Sequence, residues 1–382
     1  MNDPRIAEAD RALADRDPGR ALALMEAAAA DASFGLDEWR KLASLRRAGG
    51  DLGGALAATR RALTIAPLDF FSLLSKAVIL EQMGDPGHGE AFGHALAQQP
   101  SGVLPDALKG VVDHAEAVYR RHQEALERSL FAAAEQTLAT LPSLHRRRAE
   151  RLISNTTRRT RMFHSAPTHF HYPGLLEDEF HDRAGFPWLP RWEALTDAIA
   201  EEFAAVVAAE SAELLPYLNY SEDQPLAQWQ ALNKSREWTA IHLVQRGRVV
   251  EANARHCPRT MAFLNEVPQP NIPGCGANAM FSLLAPRTRI PPHVGVANFR
   301  LVAHLPLVVP PACWFRVGAT VKPWQRGEAF VFDDTIEHEA ANDSDELRVV
   351  LIIDCWHPGL SEDERAAITA IVAASPIIAG GL

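Results

Sequence analysis

Residues 291–310, with the sequence PPHVGVANFRLVAHLPLVVP, decide the fold of the second half of the chain. From 299 to 309 they predict a β-strand with two distinct faces, because successive residues of a strand point to opposite sides. One face carries Arg300, Val302 and His304, and the other carries Leu301, Ala303, Leu305 and Leu307. A guanidinium and an imidazole therefore share one side of an apolar strand.

Other strands are predicted around this one. Short segments rich in valine, isoleucine and phenylalanine are separated by clusters of Pro, Gly, Asn and Asp, which is typical of strands joined by turns. No helix-length segment lies between them, so an antiparallel barrel or jelly roll is favoured over a parallel sheet. The predicted strands are 279–284, 299–309, 314–321, 329–332 and 347–355.

The first half of the chain is helical and internally repeated. The dipeptide Gly50-Asp51 recurs as Gly84-Asp85, an offset of about 34 residues, which is the tetratricopeptide period. We therefore predict tetratricopeptide-like repeats over 1–102, a helical linker over 103–160 and a β-rich domain over 161–382. An amphipathic helix is predicted over 190–213. The fold class is α+β.

Composition excludes several classes of protein. The chain has 382 residues, 47% apolar and 23% charged, enough for two or three domains with packed cores. No window resembles a membrane span or a secretory signal, so a cytoplasmic location is expected. The four cysteines lack metal-ribbon spacing and are expected to be reduced, and a net charge of -10 disfavours nucleic-acid binding.

A second arginine lies on a predicted buried strand. Arg348 shares its face with Val350, Ile352 and Asp354, and both faces of that strand are largely apolar. An unpaired buried charge is costly, so the guanidinium needs a carboxylate partner. If no carboxylate of the protein pairs with it, an acidic ligand is the natural partner.

Two histidines are candidate metal ligands. His293 follows Pro291-Pro292 in a predicted turn, and His338 comes shortly after a strand. Imidazoles at strand ends can converge at the mouth of a barrel and suit Fe, Zn or Cu. A two-histidine, one-carboxylate iron site would want an acid two residues after His293, where the chain has Gly295. Carboxylates that could replace it are Asp333, Asp334 and Glu337.

These residues fall into blocks that resemble the aspartyl/asparaginyl β-hydroxylase family. The string PHVGVANFRLVAHL (292–305) is similar to the family block H-x-G-x-x-N-x-R-L-R-x-H-L. The strings FDDTIEHE (332–339) and DCWHP (354–358), with Arg348 between them, resemble a second block. Upstream resemblances are YPGL (172–175), FPWL (186–189) and Asn253 with CPRT (257–260).

The resemblance implies a double-stranded β-helix, cupin-like oxygenase that uses Fe(II), 2-oxoglutarate and O2. It implies that His293 and His338 hold the iron without a carboxylate ligand, so that Gly295 is expected. It also implies that Arg348 binds the distal carboxylate of 2-oxoglutarate. Further residues of the cosubstrate site would be Ser282, His304 and Arg300.

One departure concerns the substrate. The second arginine of the family's R-L-R block, which is understood to hold an acidic substrate group, is Val302 in this chain. Lys234 or Arg236 could replace that cation, or the substrate could be less acidic. We expect a hydroxylase of a side chain in a peptide or protein held by the repeats.

Three other functions stay open. One is an oxygenase that acts on a lipid or a small metabolite. Another is a non-catalytic binding protein in which the repeats bind a partner and the barrel is a relic. A metalloenzyme on the same barrel that needs no 2-oxoglutarate is the third, although such an enzyme has no evident use for Arg348.

Overall fold

The chain forms two compact units, residues 1–160 and residues 161–382. This computed structural model describes residues 3–31, 34–102, 105–209, 214–221 and 227–375. Among these residues no helix is both long enough and apolar enough to cross a membrane. The four cysteines are buried and form no disulfide.

The first unit consists of helices packed in antiparallel pairs. Its first three pairs follow the repeat period, and a long helix and a shorter one come after them. The helices are α1 (Pro4–Ala14), α2 (Pro18–Asp31), α3 (Leu36–Ala48), α4 (Leu52–Ile65), α5 (Phe70–Gln82), α6 (His88–Leu96), α7 (Asp106–Thr140) and α8 (Ser143–Thr156).

The recurring Gly-Asp dipeptide forms the turn between α3 and α4 and again the turn between α5 and α6. Gly50 and Gly84 have φ angles of 84° and 69°, a left-handed conformation that glycine adopts most readily after a helix. Asp51 then caps α4 by accepting a hydrogen bond from the Gly54 N–H at 2.8 Å. The tetratricopeptide-like character of this region is thus confirmed at the level of its helices and turns.

Helix α7 lies within the predicted linker and packs directly against the helix pair α5 and α6. Its residues Val112, Ala115 and Val118 belong to the same buried cluster as side chains of α5 and α6. A Cβ added to Gly93 of α6 would lie 2.3 Å from the ring of Tyr119, so only glycine permits this close approach. Helix α7 is therefore part of the core of the helical unit.

The second unit contains two antiparallel sheets and short helices. The larger sheet has the order β1-β2-β4-β11-β6-β9, with β3 paired to β2, and the smaller has the order β5-β10-β7-β8. The strands are β1 (Leu215–Pro216), β2 (Trp238–Gln245), β3 (Arg248–Val249), β4 (Ala279–Leu284), β5 (Thr288–His293), β6 (Arg300–Val308), β7 (Cys313–Val317), β8 (Thr320–Pro323), β9 (Phe330–Phe332), β10 (His338–Asn342) and β11 (Arg348–Trp356). The helices are α9 (Leu189–Ala194), α10 (Thr196–Ala208), α11 (Glu251–Ala254), α12 (Pro258–Leu264) and α13 (Glu362–Ala373).

The larger sheet separates two apolar cores, as the alternation along its strands predicts. Leu301 and Leu351 lie in the core that also contains Trp192 and Phe263. Val302 and Val350 lie in the other, beside aromatic side chains of the smaller sheet. The α+β class is therefore confirmed, and the polar residues singled out on β6 and β11 lie on the side that faces the second core.

Three local predictions are corrected by the structure. The segment 314–321 is a hairpin rather than one strand, because Gly318 turns the chain with a φ of 55°. His293 ends β5 instead of lying in a turn. The helix predicted over 190–213 is divided into α9 and α10, where the Thr196 hydroxyl donates to the Glu193 carbonyl at 2.6 Å. Residues 210–213 of that prediction lie outside the described part.

One buried carboxylate holds α10 and α12 together and gives a test of the packing. Glu202 accepts hydrogen bonds from the backbone N–H groups of Arg259 and Thr260 at 2.6 and 3.0 Å, and from the Thr260 hydroxyl at 2.6 Å. Glu202→Ala leaves these donors unpaired, so we expect it to lower the free energy of unfolding by about 2 to 4 kcal/mol.

Urea unfolding of the full chain measures this loss. The neighbouring Glu201 is the matched control, because its side chain is 75% exposed and Glu201→Ala should change stability by about 0.5 kcal/mol or less. Equal effects of the two substitutions would show that the Glu202 hydrogen bonds do not stabilise the fold.

Candidate functional site

The two candidate metal ligands lie side by side on paired strands. His293, the last residue of β5, is in direct register with His338, the first residue of β10. Their ring centroids are 3.9 Å apart. The Nδ1 atom of each ring hydrogen-bonds a nearby carbonyl, that of Pro291 at 2.8 Å and that of Ile336 at 3.1 Å. With Nδ1 donating, Nε2 of each imidazole carries the lone pair that a metal would take.

Both imidazoles are neutral at physiological pH. Burial lowers the pKa of His293 to about 3, and the proximity of His338 adds to this effect. Burial likewise lowers the pKa of His338 to about 4. Because a histidine must be deprotonated to bind a metal, the site is in the required state without an external base.

Gly295 leaves room for a carboxylate beside these rings. A Cβ at Gly295 would lie 2.1 Å from Oδ2 of Asp334, so any side chain there would displace that carboxylate. The backbone N–H of Gly295 donates to the Asp334 carbonyl at 2.6 Å, which keeps the two segments in contact. One carboxylate oxygen of Asp334, Oδ1, is buried without a hydrogen-bond partner.

The other two carboxylates weighed as ligands have structural roles. Asp333 accepts from the backbone N–H and the hydroxyl of Thr335 at 2.9 and 2.5 Å, which closes the turn before β10. Glu337 forms ion pairs with Arg161 and Arg316. Within the described ranges, no group of three or more His, Cys, Asp or Glu side chains has an arrangement that could hold a metal ion. His293 and His338 are therefore the candidate ligands that the described structure places side by side.

Arg300 and Arg348 are both buried on the side of the larger sheet that faces the second core, but their surroundings differ in charge. Arg300 is paired twice: it donates to Asp334 at 2.7 Å and to Asp354 at 3.3 Å. Arg348 is only 2% exposed, and none of the carboxylates described pairs with it. One of its NH groups donates to the carbonyl and the hydroxyl of Ser282 at 3.3 and 3.4 Å, while its Nε–H has no hydrogen-bond partner among the residues that the structure describes.

Arg348 nevertheless keeps its charge. Burial lowers the pKa of its guanidinium to about 10, which is still well above physiological pH. A full positive charge is thus held in an apolar environment with neutral hydrogen-bond acceptors only. Such a group favours an anionic ligand, because an added carboxylate would supply the compensation that the fold lacks.

His304 lies close to this cation. It is buried among Phe315, Phe330 and Phe332, with ring centroids 4.9 to 5.4 Å away. Burial, followed by the charge of Arg348, holds the pKa of His304 well below its usual range. The imidazole is therefore neutral, and it can donate a hydrogen bond from one nitrogen while it accepts one at the other.

Four aromatic residues of the site were not predicted as functional. The indole N–H of Trp238 donates to the Ser282 hydroxyl at 3.2 Å, and Tyr217 stacks on Trp238 at 3.8 Å between centroids. The ring of Trp229 lies 5.0 Å from that of His293. Trp324 lies 4.7 Å from the guanidinium carbon of Arg348. No spacing or motif in the sequence links these positions.

The predicted residues thus form a connected site, apart from the candidate replacement cations. Ser282 contacts Arg348, and His304 lies near Arg348. Arg300 forms ion pairs with Asp334 and Asp354 next to the two candidate metal ligands. Val302 is 7% exposed and lies in register with Phe332 of β9 and Asp354 of β11. Lys234 and Arg236 are exposed residues that precede β2.

The C-terminal unit therefore combines two antiparallel sheets with two adjacent imidazoles and a buried arginine that none of the described carboxylates pairs with. Its resemblance to one family is confirmed: the family model described as aspartyl/asparaginyl beta-hydroxylase matches residues 193–358. The upstream strings at 172–175 and 186–189 lie before the matched residues.

Three relatives have names that refer to hydroxylases. The human aspartyl/asparaginyl beta-hydroxylase is 34% identical over 142 residues, 37% of this chain and 18% of that protein. The human aspartate beta-hydroxylase domain-containing protein 2 is 37% identical over 142 residues, 36% of this chain and 38% of that protein. The ornithine lipid ester-linked acyl 2-hydroxylase of Rhizobium tropici is 35% identical over 190 residues, 49% of this chain and 63% of that protein. The matches span less than two thirds of each relative.

Solved structures resemble parts of the chain at low sequence identity. The tetratricopeptide domain of Sgt2 from Aspergillus fumigatus is 20% identical, with a TM-score of 0.27 over 32% of this chain and 79% of that one. The cupin domain of Cnp3 from Schizosaccharomyces pombe is 10% identical, with a TM-score of 0.18 over 21% of this chain and 55% of that one.

Proposed function

We propose that this protein is an Fe(II)- and 2-oxoglutarate-dependent dioxygenase. It hydroxylates an unactivated carbon, in an amino-acid side chain of a peptide or protein, and releases succinate and CO2. The observation that carries the proposal is the buried, unpaired guanidinium of Arg348 in the same apolar core as two register-paired imidazoles. The family match supports the hydroxylation chemistry.

The strand order supports a double-stranded β-helix for this unit. In an eight-stranded jelly roll the chain alternates between two sheets and returns along them in reverse order. From β4 onward, the order β4-β11-β6-β9 in one sheet and β5-β10-β7-β8 in the other has this property, with the chain reversing at the β7–β8 hairpin of the smaller sheet. The ends of β5 and β10, which carry the two histidines, then lie together at one mouth of the barrel.

His293 and His338 are the residues that would hold the metal. Their Nδ1–H groups are fixed by backbone carbonyls and their rings are neutral, which suits Fe(II) bound through Nε2. Asp334 forms an ion pair with Arg300, and the absence of a side chain at Gly295 leaves room for its carboxylate. This carboxylate would add a negative charge near a bound ion, and we do not propose it as a ligand. Fe(II) would supply O2 activation coupled to the oxidative decarboxylation of 2-oxoglutarate.

Arg348 and Ser282 would bind the distal carboxylate of 2-oxoglutarate. The guanidinium offers its fork to two carboxylate oxygens, and the Ser282 hydroxyl lies beside it. His304 would donate a hydrogen bond at the other end of the cosubstrate. The apolar side chains around these groups, such as Val350 and Ile352, exclude water from the reacting atoms.

A second candidate substrate is a lipid acyl chain. Val302 offers no charge to an acidic substrate, and Arg300 on the same strand is already paired with two carboxylates. The relative from Rhizobium tropici is named as an acyl 2-hydroxylase. A non-catalytic role for the barrel is less favoured, since an unused buried charge at Arg348 would only destabilise the fold.

Substrate-free turnover tests the proposal. With Fe(II), ascorbate and 2-oxoglutarate, the full chain should form succinate slowly, as followed by NMR. The matched control is 2-oxobutyrate, which keeps the 2-oxo acid end but lacks the distal carboxylate, and it should not be decarboxylated. Absence of succinate from protein with confirmed bound iron, or equal use of the two acids, would contradict the proposal.

A further inference from the structure

Trp324 contacts both polar groups that are assigned to the two ends of 2-oxoglutarate. It comes directly after β8 and is only 4% exposed. Its ring stacks on Phe315, with centroids 5.5 Å apart and an angle of 21° between planes. Phe315 belongs to β7 of the smaller sheet, so the indole is held in one orientation by the barrel itself.

The ring of Trp324 lies against the unpaired cation. The guanidinium carbon of Arg348 is 4.7 Å from the ring centroid, within the range of a cation–π interaction. Arg348 otherwise contacts only the two oxygens of Ser282 among the described hydrogen-bonding groups. The indole is therefore the feature that stabilises the charge, and limits its motion, while no acid is bound.

The N–H of the same indole sets the state of His304. Nε1 of Trp324 lies 3.5 Å from Nδ1 of His304. An indole nitrogen can only donate, so Nδ1 of the neutral imidazole must accept, and its proton must be on Nε2. This tautomer makes His304 a hydrogen-bond donor on the side of the ring away from Trp324.

We propose that Trp324 is a positioning residue for 2-oxoglutarate, which it pre-organises at both ends without touching it. Its ring fixes Arg348 for the distal carboxylate, and its N–H fixes His304 as a donor for the 2-oxo acid end. The inference rests on the proposed function. Because Trp324 contacts both Arg348 and His304, one substitution at this position should disturb the binding of both ends of 2-oxoglutarate.

Two substitutions separate the contributions of the ring and the N–H. Trp324→Phe keeps an aromatic face for Arg348 but removes the donor, so 2-oxoglutarate should bind about 2- to 10-fold more weakly. Trp324→Leu removes both, and binding should weaken by about 10- to 100-fold. Calorimetric titration of the Mn(II)-loaded full chain with 2-oxoglutarate measures both effects.

The control is Trp314→Phe. Trp314 lies on β7 of the smaller sheet, donates to Asp343 at 3.1 Å and has Arg289 at 6.0 Å from its ring. In the described structure no hydrogen bond or ring contact joins it to Arg348 or His304. Its replacement should leave the affinity for 2-oxoglutarate unchanged. Binding by Trp324→Leu within about twofold of the wild type would overturn the inference.

A ligand-free readout keeps the test decisive if Trp324→Leu fails to fold. Long-range 1H–15N NMR should find His304 with its proton on Nε2 in the wild type and in Trp314→Phe, and as a mixture of tautomers in Trp324→Phe. A proton on Nδ1 in the wild type would overturn the inference even if 2-oxoglutarate binds. If the wild type does not bind 2-oxoglutarate, the proposed function fails, whatever the tautomer.

Discussion

Replacing Arg348 with methionine is expected to weaken 2-oxoglutarate binding by about two to four orders of magnitude. The side chain is buried and faces no carboxylate in the described structure, so its charge is available to an acid. Removing one partner of a buried charge pair costs about 3 to 5 kcal/mol, which corresponds to this loss of affinity. Calorimetry on the Mn(II)-loaded protein measures it.

The same substitution should not destabilise the ligand-free protein. Arg348→Met removes an uncompensated buried charge and keeps much of the apolar volume, so the free energy of unfolding should stay the same or rise. Arg300→Met is the matched control, because Arg300 is paired with Asp334 and Asp354. It should lower stability by about 3 to 5 kcal/mol, since two buried carboxylates lose their partner.

These two variants distinguish a ligand-binding charge from a structural one. If Arg348→Met destabilised the ligand-free protein as much as Arg300→Met does, Arg348 would have a partner within the fold. If it kept its affinity for 2-oxoglutarate, the cosubstrate would bind elsewhere.

Substitution of either His293 or His338 by alanine should weaken Mn(II) binding by at least about tenfold. Each imidazole is held in place by one backbone hydrogen bond, and even the loss of such an outer contact typically costs 10- to 100-fold in metal affinity. The double variant should retain no metal after dialysis. Metal content and Mn(II) titration followed by electron paramagnetic resonance measure both effects.

His242→Leu is the control for this prediction. His242 is also mostly buried and neutral, because burial lowers its pKa to about 4, but it lies on β2 in register with Met280. Its replacement should leave Mn(II) binding unchanged. A loss confined to only one of His293 and His338 would contradict a shared ion.

The faces of the long strands could be predicted because they depend on local alternation. Arg348 and Val350 were assigned to one side and Leu351 to the other, and the two cores divide in this way. The helical repeats could be predicted for a similar reason, since Gly50 and Gly84 determine turns within a few residues of themselves.

The convergence of the site depends on pairing between distant segments. The prolines at 291 and 292 argue against a strand that ends at His293, because proline lacks the N–H that a central strand needs. In the structure β5 is an edge strand, where that loss is tolerated. Its register with β10, which brings His293 beside His338, has no local signal in the sequence.

The difference between the two arginines also needed the structure. Arg300 and Arg348 look alike in the sequence, because each lies on a predicted apolar strand. Only the packing of β6 against β11 and of the Asp334 turn shows that Asp354 and Asp334 both pair with Arg300. Neither of these carboxylates therefore pairs with Arg348.

Anomalous diffraction from crystals grown with Mn(II) and 2-oxoglutarate would show whether the two imidazoles bind one metal ion beside a diacid held by Arg348. We expect one metal peak, bonded to Nε2 of His293 and Nε2 of His338, with the 2-oxo acid end of the ligand at the metal and its distal carboxylate on Arg348. A peak bonded to only one of these rings, or a diacid that leaves Arg348 unpaired, would contradict it.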